Sequence, residues 1–153
     1  MDTQIVELLG QHHLVDQMLR AGVEIAVPVR DHGVDLIAYV DRDEFRATPI
    51  QVKVSSKRGF AIDRKYENVP DLLLVYVWNV ESEEDVEMYA LGFGEAHTIA
   101  VHLEWTATES WANGKYVTSR PSKKLIEMLQ EHRVSPGQWK ARLEARDRLS
   151  PSR

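Results

Sequence analysis

Three residues define the chemistry open to this chain. Gly33-Val34-Asp35-Leu36-Ile37 puts an acid at the head of one apolar run, and Ile50-Gln51-Val52-Lys53-Val54-Ser55 puts an amide and a lysine inside the next. Residues two apart on a strand project from the same face, so Gln51 and Lys53 point together. A neighbouring strand can bring Asp35 beside them. An acid, a side-chain carbonyl and a lysine on one sheet face can hold a hard divalent cation and a water next to a phosphate. Metal-assisted phosphodiester cleavage is therefore the chemistry to test. The main alternative is structural. A lysine inside an apolar run must be paired or face a cleft, because burying a bare ammonium is costly, and Asp35 is the obvious partner for an ion pair.

The elements that must position these residues are legible in outline. Residues Thr3 to Arg20 read as an amphipathic helix with Ile5, Leu8, Leu9, Val15 and Leu19 on its inward face. His12 falls in that stripe as a packed core histidine. Asp2 or Thr3 can cap the helix, and Ala21-Gly22 can end it. Val23–Val27, Asp35–Val40 and Phe45–Val54 read as three strands, a meander with a polar turn at Asp41–Glu44 and Pro49 near an edge or bulge. Ser55–Asp71 reads as a polar loop with a short helix. Leu72–Trp78 is a continuous apolar run, the pattern of a buried central strand. An acidic loop, a fifth strand over Val86–Leu91 and a helix over Gly94–Leu103 follow. Asn113-Gly114 is a turn, with a hairpin possible before Tyr116-Val117. Ser122 starts one helix and Ser135-Pro136 another, charged on most sides and open to reading as a loosely docked tail or a partner surface.

Composition narrows the class. The chain has 153 residues, 43% hydrophobic and 28% charged, the profile of one globular domain with a real core. It contains no cysteine, which excludes disulfides and thiolate metal sites. No signal-peptide pattern and no membrane-length apolar run is present, so a soluble, cytoplasmic protein with no membrane partner is expected. The formal net charge is -5, yet the charge is unevenly spread. Lys53 to Lys65 carries five bases (Lys53, Lys57, Arg58, Arg64, Lys65) against one acid, Asp63. That basic run adjoins the candidate site and suits phosphate contact. Trp78 reads as core, while Trp105, Trp111 and Trp139 are open to core packing or base stacking. No nucleophilic triad, zinc pair or Walker loop is legible.

The helix, three strands, linking segment and further buried strand resemble the PD-(D/E)XK nuclease superfamily. More narrowly, they resemble its small single-domain members related to archaeal Holliday-junction resolvases and group I intron endonucleases. The likeness spans roughly residues 10–80. It rests on Gly10-Gln11, Gly22, the Gly33–Ile37 segment and the Ile50–Ser55 segment. It implies an α/β fold with a restriction-endonuclease-like core: a mixed central sheet flanked by helices, with extra C-terminal helices. It further implies a nuclease domain over residues 1–134 and a helical tail over 135–153. By the same resemblance Asp35 and Gln51 are metal ligands for Mg2+ (or Mn2+), completed by the Val52 carbonyl, and Lys53 assists the attacking water. Gln11 is a peripheral polar contact to DNA, and Ser55, Lys57 and Arg58 contact its phosphates. A homo-oligomer acting on DNA is the implied assembly.

Two positions depart from that pattern. Gln51 replaces an acid, and Gln11 stands where relatives often carry a first-helix Glu. Asp35 is then nearly the sole anion unless Glu24 or Asp31 supplies another. The competing expectations are a module that keeps the fold but binds DNA or protein without cutting, and an interaction domain with no nucleic-acid role.

Overall fold

Asp2 starts the first helix by accepting the Gln4 N–H on its carboxylate at 2.8 Å, and α1 runs Thr3–Arg20. The computed structural model describes residues 1–40 and 45–149, so the polar turn expected at Asp41–Glu44 lies outside the described residues. After α1 come β1 (Glu24–Ala26), β2 (Leu36–Val40), β3 (Arg46–Val54) and β4 (Phe60–Asp63). A 3-10 turn at Arg64–Asn68 leads to β5 (Leu73–Trp78), and β6 (Glu87–Gly92) follows. The remainder is α2 (Phe93–His102), α3 (Glu109–Ala112), β7 (Lys115–Thr118), α4 (Lys123–Leu129) and α5 (Trp139–Leu149).

β1, β2 and β3 form the expected antiparallel meander, and β5 adds parallel to β3 with β6 antiparallel beyond it. The result is a five-stranded mixed sheet in the order β1-β2-β3-β5-β6 with helices on both faces. All six residues of β5 are buried, as its unbroken apolar run requires of a strand covered on both sides. One face packs Val6, Leu14, Met18, Ile50, Val52 and Trp139, joining α1, β3 and α5. The other packs Phe60, Tyr66, Tyr76, Trp78, Ile99 and Leu125, joining β4, α2 and α4 to β5.

The inward face of α1 differs from the expected one. Val6, Gly10, Leu14 and Met18 are buried, whereas Ile5, Leu8 and Leu19 are each about half exposed. Both rows have helical spacing, so periodicity alone does not choose between them. Gly10 decides it: the helix meets β3 where a Cβ would overlap the Val54 side chain, so only glycine permits the approach. His12 accordingly faces solvent.

Two further features depart from the sequence reading. The segment taken as loop contains β4, which pairs with β7 as a separate two-stranded ribbon (Phe60↔Thr118 to Asp63↔Lys115). No local hairpin forms at Asn113-Gly114; instead Gly114 turns the chain with φ +120° and β7 reaches back to β4. The C-terminal helix is anchored. Trp139 is fully buried and its Nε1 donates to Gln17 Oε1 at 3.0 Å, Leu143 joins the same core, and Arg142 donates to the Ala90 carbonyl. Burying a side chain as large as tryptophan outweighs the polar periphery of α5. Trp105 and Trp111 are also buried, which leaves none of the four tryptophans presented for base stacking.

Candidate functional site

β2 and β3 pair with Leu36 opposite Ile50, so extending the register by one residue sets Asp35 opposite Gln51. The Asp35 N–H donates to the Ile50 carbonyl at 2.8 Å and continues the ladder. β2 ends there, and the next β3 donor on that side, the Val52 N–H, has no strand partner. The Asp35 carboxylate takes it: Oδ2 accepts from Val52 N at 2.8 Å. In an antiparallel pair a residue turns its N–H and C=O the same way. The Val52 carbonyl therefore also faces the Asp35 side. Gly33, two residues earlier, has φ +86°, and a Cβ there would lie 3.4 Å from the Tyr66 ring. Glycine serves both the left-handed turn and the close approach.

Gln51 and Lys53 lie in register with Leu74 and Tyr76 of β5 and share their face of the sheet. Gln51 is 9% exposed, and its Oε1 is buried with no hydrogen-bond partner. A buried amide oxygen without a donor is uncommon and costly. Lys53 does not form the ion pair with Asp35. Its ammonium donates to the Tyr66 hydroxyl at 3.0 Å and lies 5.0 Å from the centroid of that ring.

These groups open into a cleft of about 730 Å³. The residues expected to bind metal or DNA all line it: Asp35, Gln51, Val52, Lys53, Gln11, Ser55, Lys57 and Arg58. The Ser55–Gly59 segment is pinned to β5. Ser55 N–H donates to the Val77 carbonyl at 2.9 Å, and the Gly59 carbonyl accepts Trp78 Nε1 at 2.6 Å. Lys57 and Arg58 are exposed on this fixed loop, and the Arg58 guanidinium lies 5.9 Å from the Trp78 ring. Ala61 and Val117 of the β4–β7 ribbon form part of the cleft wall.

Two acids also line the cleft: Glu7, which the sequence reading does not single out, and Asp31, which it weighs as a second anion. Glu7 lies one helical turn before Gln11 on the same face of α1, a spacing that makes the two neighbours. An acid of α1, Glu7, therefore lies beside Gln11 at the cleft. Asp31 arrives through the Asp31–Gly33 turn, where its carboxylate accepts the Gly33 N–H at 3.0 Å. Glu24, the other acid considered, sits on β1 opposite Tyr39 and is exposed. Burial pushes the Asp35 carboxyl above its ordinary 3.8; the Val52 N–H opposes this, Asp31 adds to it, Lys53 opposes and Glu7 adds. An acid raised by desolvation and like charges is a group that a cation would stabilise in its ionised form.

The donor set suits a hard cation. Among the described residues no three His, Asp or Glu side chains gather closely enough to hold one unaided. A cation here would take the Asp35 carboxylate, the unpartnered Gln51 oxygen and the Val52 carbonyl. Water and substrate oxygens would fill the remaining positions, an arrangement that Mg2+ accepts. Among the described residues no helix is long and apolar enough to cross a membrane.

No protein-family model matches this chain, and no curated protein matches it. Among solved structures it is similar to that of a bacterial homing endonuclease, with 15% identity and a TM-score of 0.49, over 97% of this chain and 100% of that one.

Proposed function

We propose that this chain is a Mg2+- or Mn2+-dependent DNA endonuclease of the PD-(D/E)XK type with a Gln-x-Lys motif. The observation that carries the reading is the buried, unpartnered Gln51 Oε1, opposite Asp35 and two residues from a lysine in one cleft. Asp35, Gln51 and the Val52 carbonyl would hold the ion, with Glu7 and Asp31 adding negative potential around it. Once bound, such an ion would supply Lewis acidity toward a phosphate oxygen and make nearby water more acidic. Lys53 orients the attacking water and offsets charge developing on the phosphate. Ser55, Lys57 and Arg58 grip flanking phosphates, contacts that position DNA without reading its sequence, and Gln11 adds a polar contact at the rim. The acting form is a symmetric oligomer, since a two-fold pair of sites addresses both strands of a duplex.

Supercoiled plasmid and branched DNA, incubated with Mg2+ or Mn2+, test the reading. Wild type cuts, while Asp35→Ala and Lys53→Ala do not. Cleavage that survives both substitutions would place the activity elsewhere. Among the described residues no three His, Asp or Glu side chains form a metal-holding group, which favours a second reading, a module that binds DNA without cutting. That reading predicts salt-dependent retention of DNA with no nicks at any metal concentration.

A further inference from the structure

Lys53 stands two residues along β3 from Gln51, the cross-strand neighbour of Asp35, and lines the same cleft, yet its ammonium is turned to Tyr66. A lysine that can reach a carboxylate on the same face gains by pairing with it. A closed pair would occupy the carboxylate that a cation needs and the ammonium that a phosphate needs. We propose that Tyr66 is a positioning residue whose hydroxyl and ring hold the Lys53 ammonium away from Asp35, keeping both groups open to the cleft. This rests on reading Asp35 and Lys53 as the working pair of the proposed nuclease.

Tyr66 is built to stay in place. It is 3% exposed and belongs to the core formed with Phe60, Ile62 and Leu72. It sits in the 3-10 turn Arg64–Asn68, which is capped by Asp63, whose carboxylate accepts the Lys65 N–H at 3.0 Å, while the Arg64 N–H donates to the Gly114 carbonyl at 2.8 Å. Gly33 clears the space for the ring on the Asp35 side. The ring lies near two ammonium groups, Lys53 at 5.0 Å and Lys65 at 5.1 Å from its centroid, and its negative face favours both. The hydroxyl remains protonated at neutral pH, because burial pushes its pKa above the ordinary value. It therefore accepts the Lys53 hydrogen bond as a neutral group and does not compete with Asp35 as an anion.

The test is an NMR titration of the Asp35 carboxyl in the metal-free full chain, for wild type, Tyr66→Phe, Lys53→Met and the double variant. Tyr66→Phe keeps the ring and removes the acceptor. Lys53 then swings to Asp35, and the Asp35 midpoint moves about one pH unit lower, roughly tenfold in proton affinity. The double variant titrates like Lys53→Met alone, because the swing needs the lysine. A midpoint unchanged in Tyr66→Phe overturns the proposal. So does a fall that persists in the double variant, since that fall would come from loosened packing. With DNA, Tyr66→Phe lowers kcat with little change in KM. The titration needs no DNA, so a shifted midpoint in a protein that never cuts would defeat the nuclease reading and leave the Tyr66 role standing.

Discussion

Gln51→Glu is the most informative single change, because it adds an acid opposite Asp35 in a site whose register is known. Asp35 and Gln51 are cross-strand neighbours by extension of the Leu36↔Ile50 register, and side chains so opposed have Cβ atoms about 5 Å apart. Two carboxylates at about 5 Å repel by about 3 kcal/mol at an effective dielectric of ~20. Asp35 is only half-buried, and solvent screening reduces that to about 1–2 kcal/mol. Without metal at neutral pH, Gln51→Glu should therefore lower stability by about 1–2 kcal/mol, or about 3–8 °C in Tm for a domain of this size. The loss shrinks as pH falls and the pair takes up a proton. A divalent cation reverses the order, because the new carboxylate gains more from the ion than the amide did. The assay is thermal unfolding of wild type and variant in chelator and across a Mg2+ titration. A variant that metal stabilises no more than it stabilises wild type would refute the placement of the ion. A variant no less stable than wild type in chelator would refute the geometry.

Other consequences follow from the same structure. The folded pKa of Asp35 is raised above 3.8, so the cost of ionising it is fully present above the folded value and gone below 3.8. Wild type should therefore gain stability relative to Asp35→Asn as pH falls through that window, measured by urea unfolding at several pH values; a difference independent of pH would contradict the assignment. Gly10→Ala forces a methyl into the Val54 side chain. It should cost about 1–3 kcal/mol from overpacking, despite a helix-propensity gain of about 1 kcal/mol, and a stabilised variant would show that α1 does not seat on β3 as described. Trp139→Ala should cost about 3–5 kcal/mol in denaturant unfolding, whereas a loosely attached helix would lose almost nothing.

The sheet was readable because its strands carry strong local signals. The apolar runs of β2 and β5 and the turn at Gly33 each follow from burial or backbone geometry visible in sequence. Strand parity sets Gln51 and Lys53 on one face without knowledge of the rest of the fold, and the β2–β3 register puts Asp35 opposite Gln51. What stayed hidden depended on distant partners. β4 is four residues of mixed character that become a strand only because β7, more than fifty residues later, pairs with it. The inward face of α1 was misassigned because two apolar rows compete and a glycine settles the matter through one contact with Val54. Glu7 joins Gln11 at the cleft because helical spacing puts both on one face. Tyr66 gave no local sign, since its role depends on the Lys53 ammonium thirteen residues away.

The proposed divalent cation would sit among Asp35, Gln51 and the Val52 carbonyl. Iron-directed cleavage of the polypeptide tests it most directly: Fe2+ in place of Mg2+, with ascorbate and peroxide, cuts the backbone beside the bound ion. The account predicts cuts near residue 35 and across residues 51–53, suppressed by Mg2+ and lost in Asp35→Ala. Cuts confined to other parts of the chain, or none that Mg2+ suppresses, would contradict it.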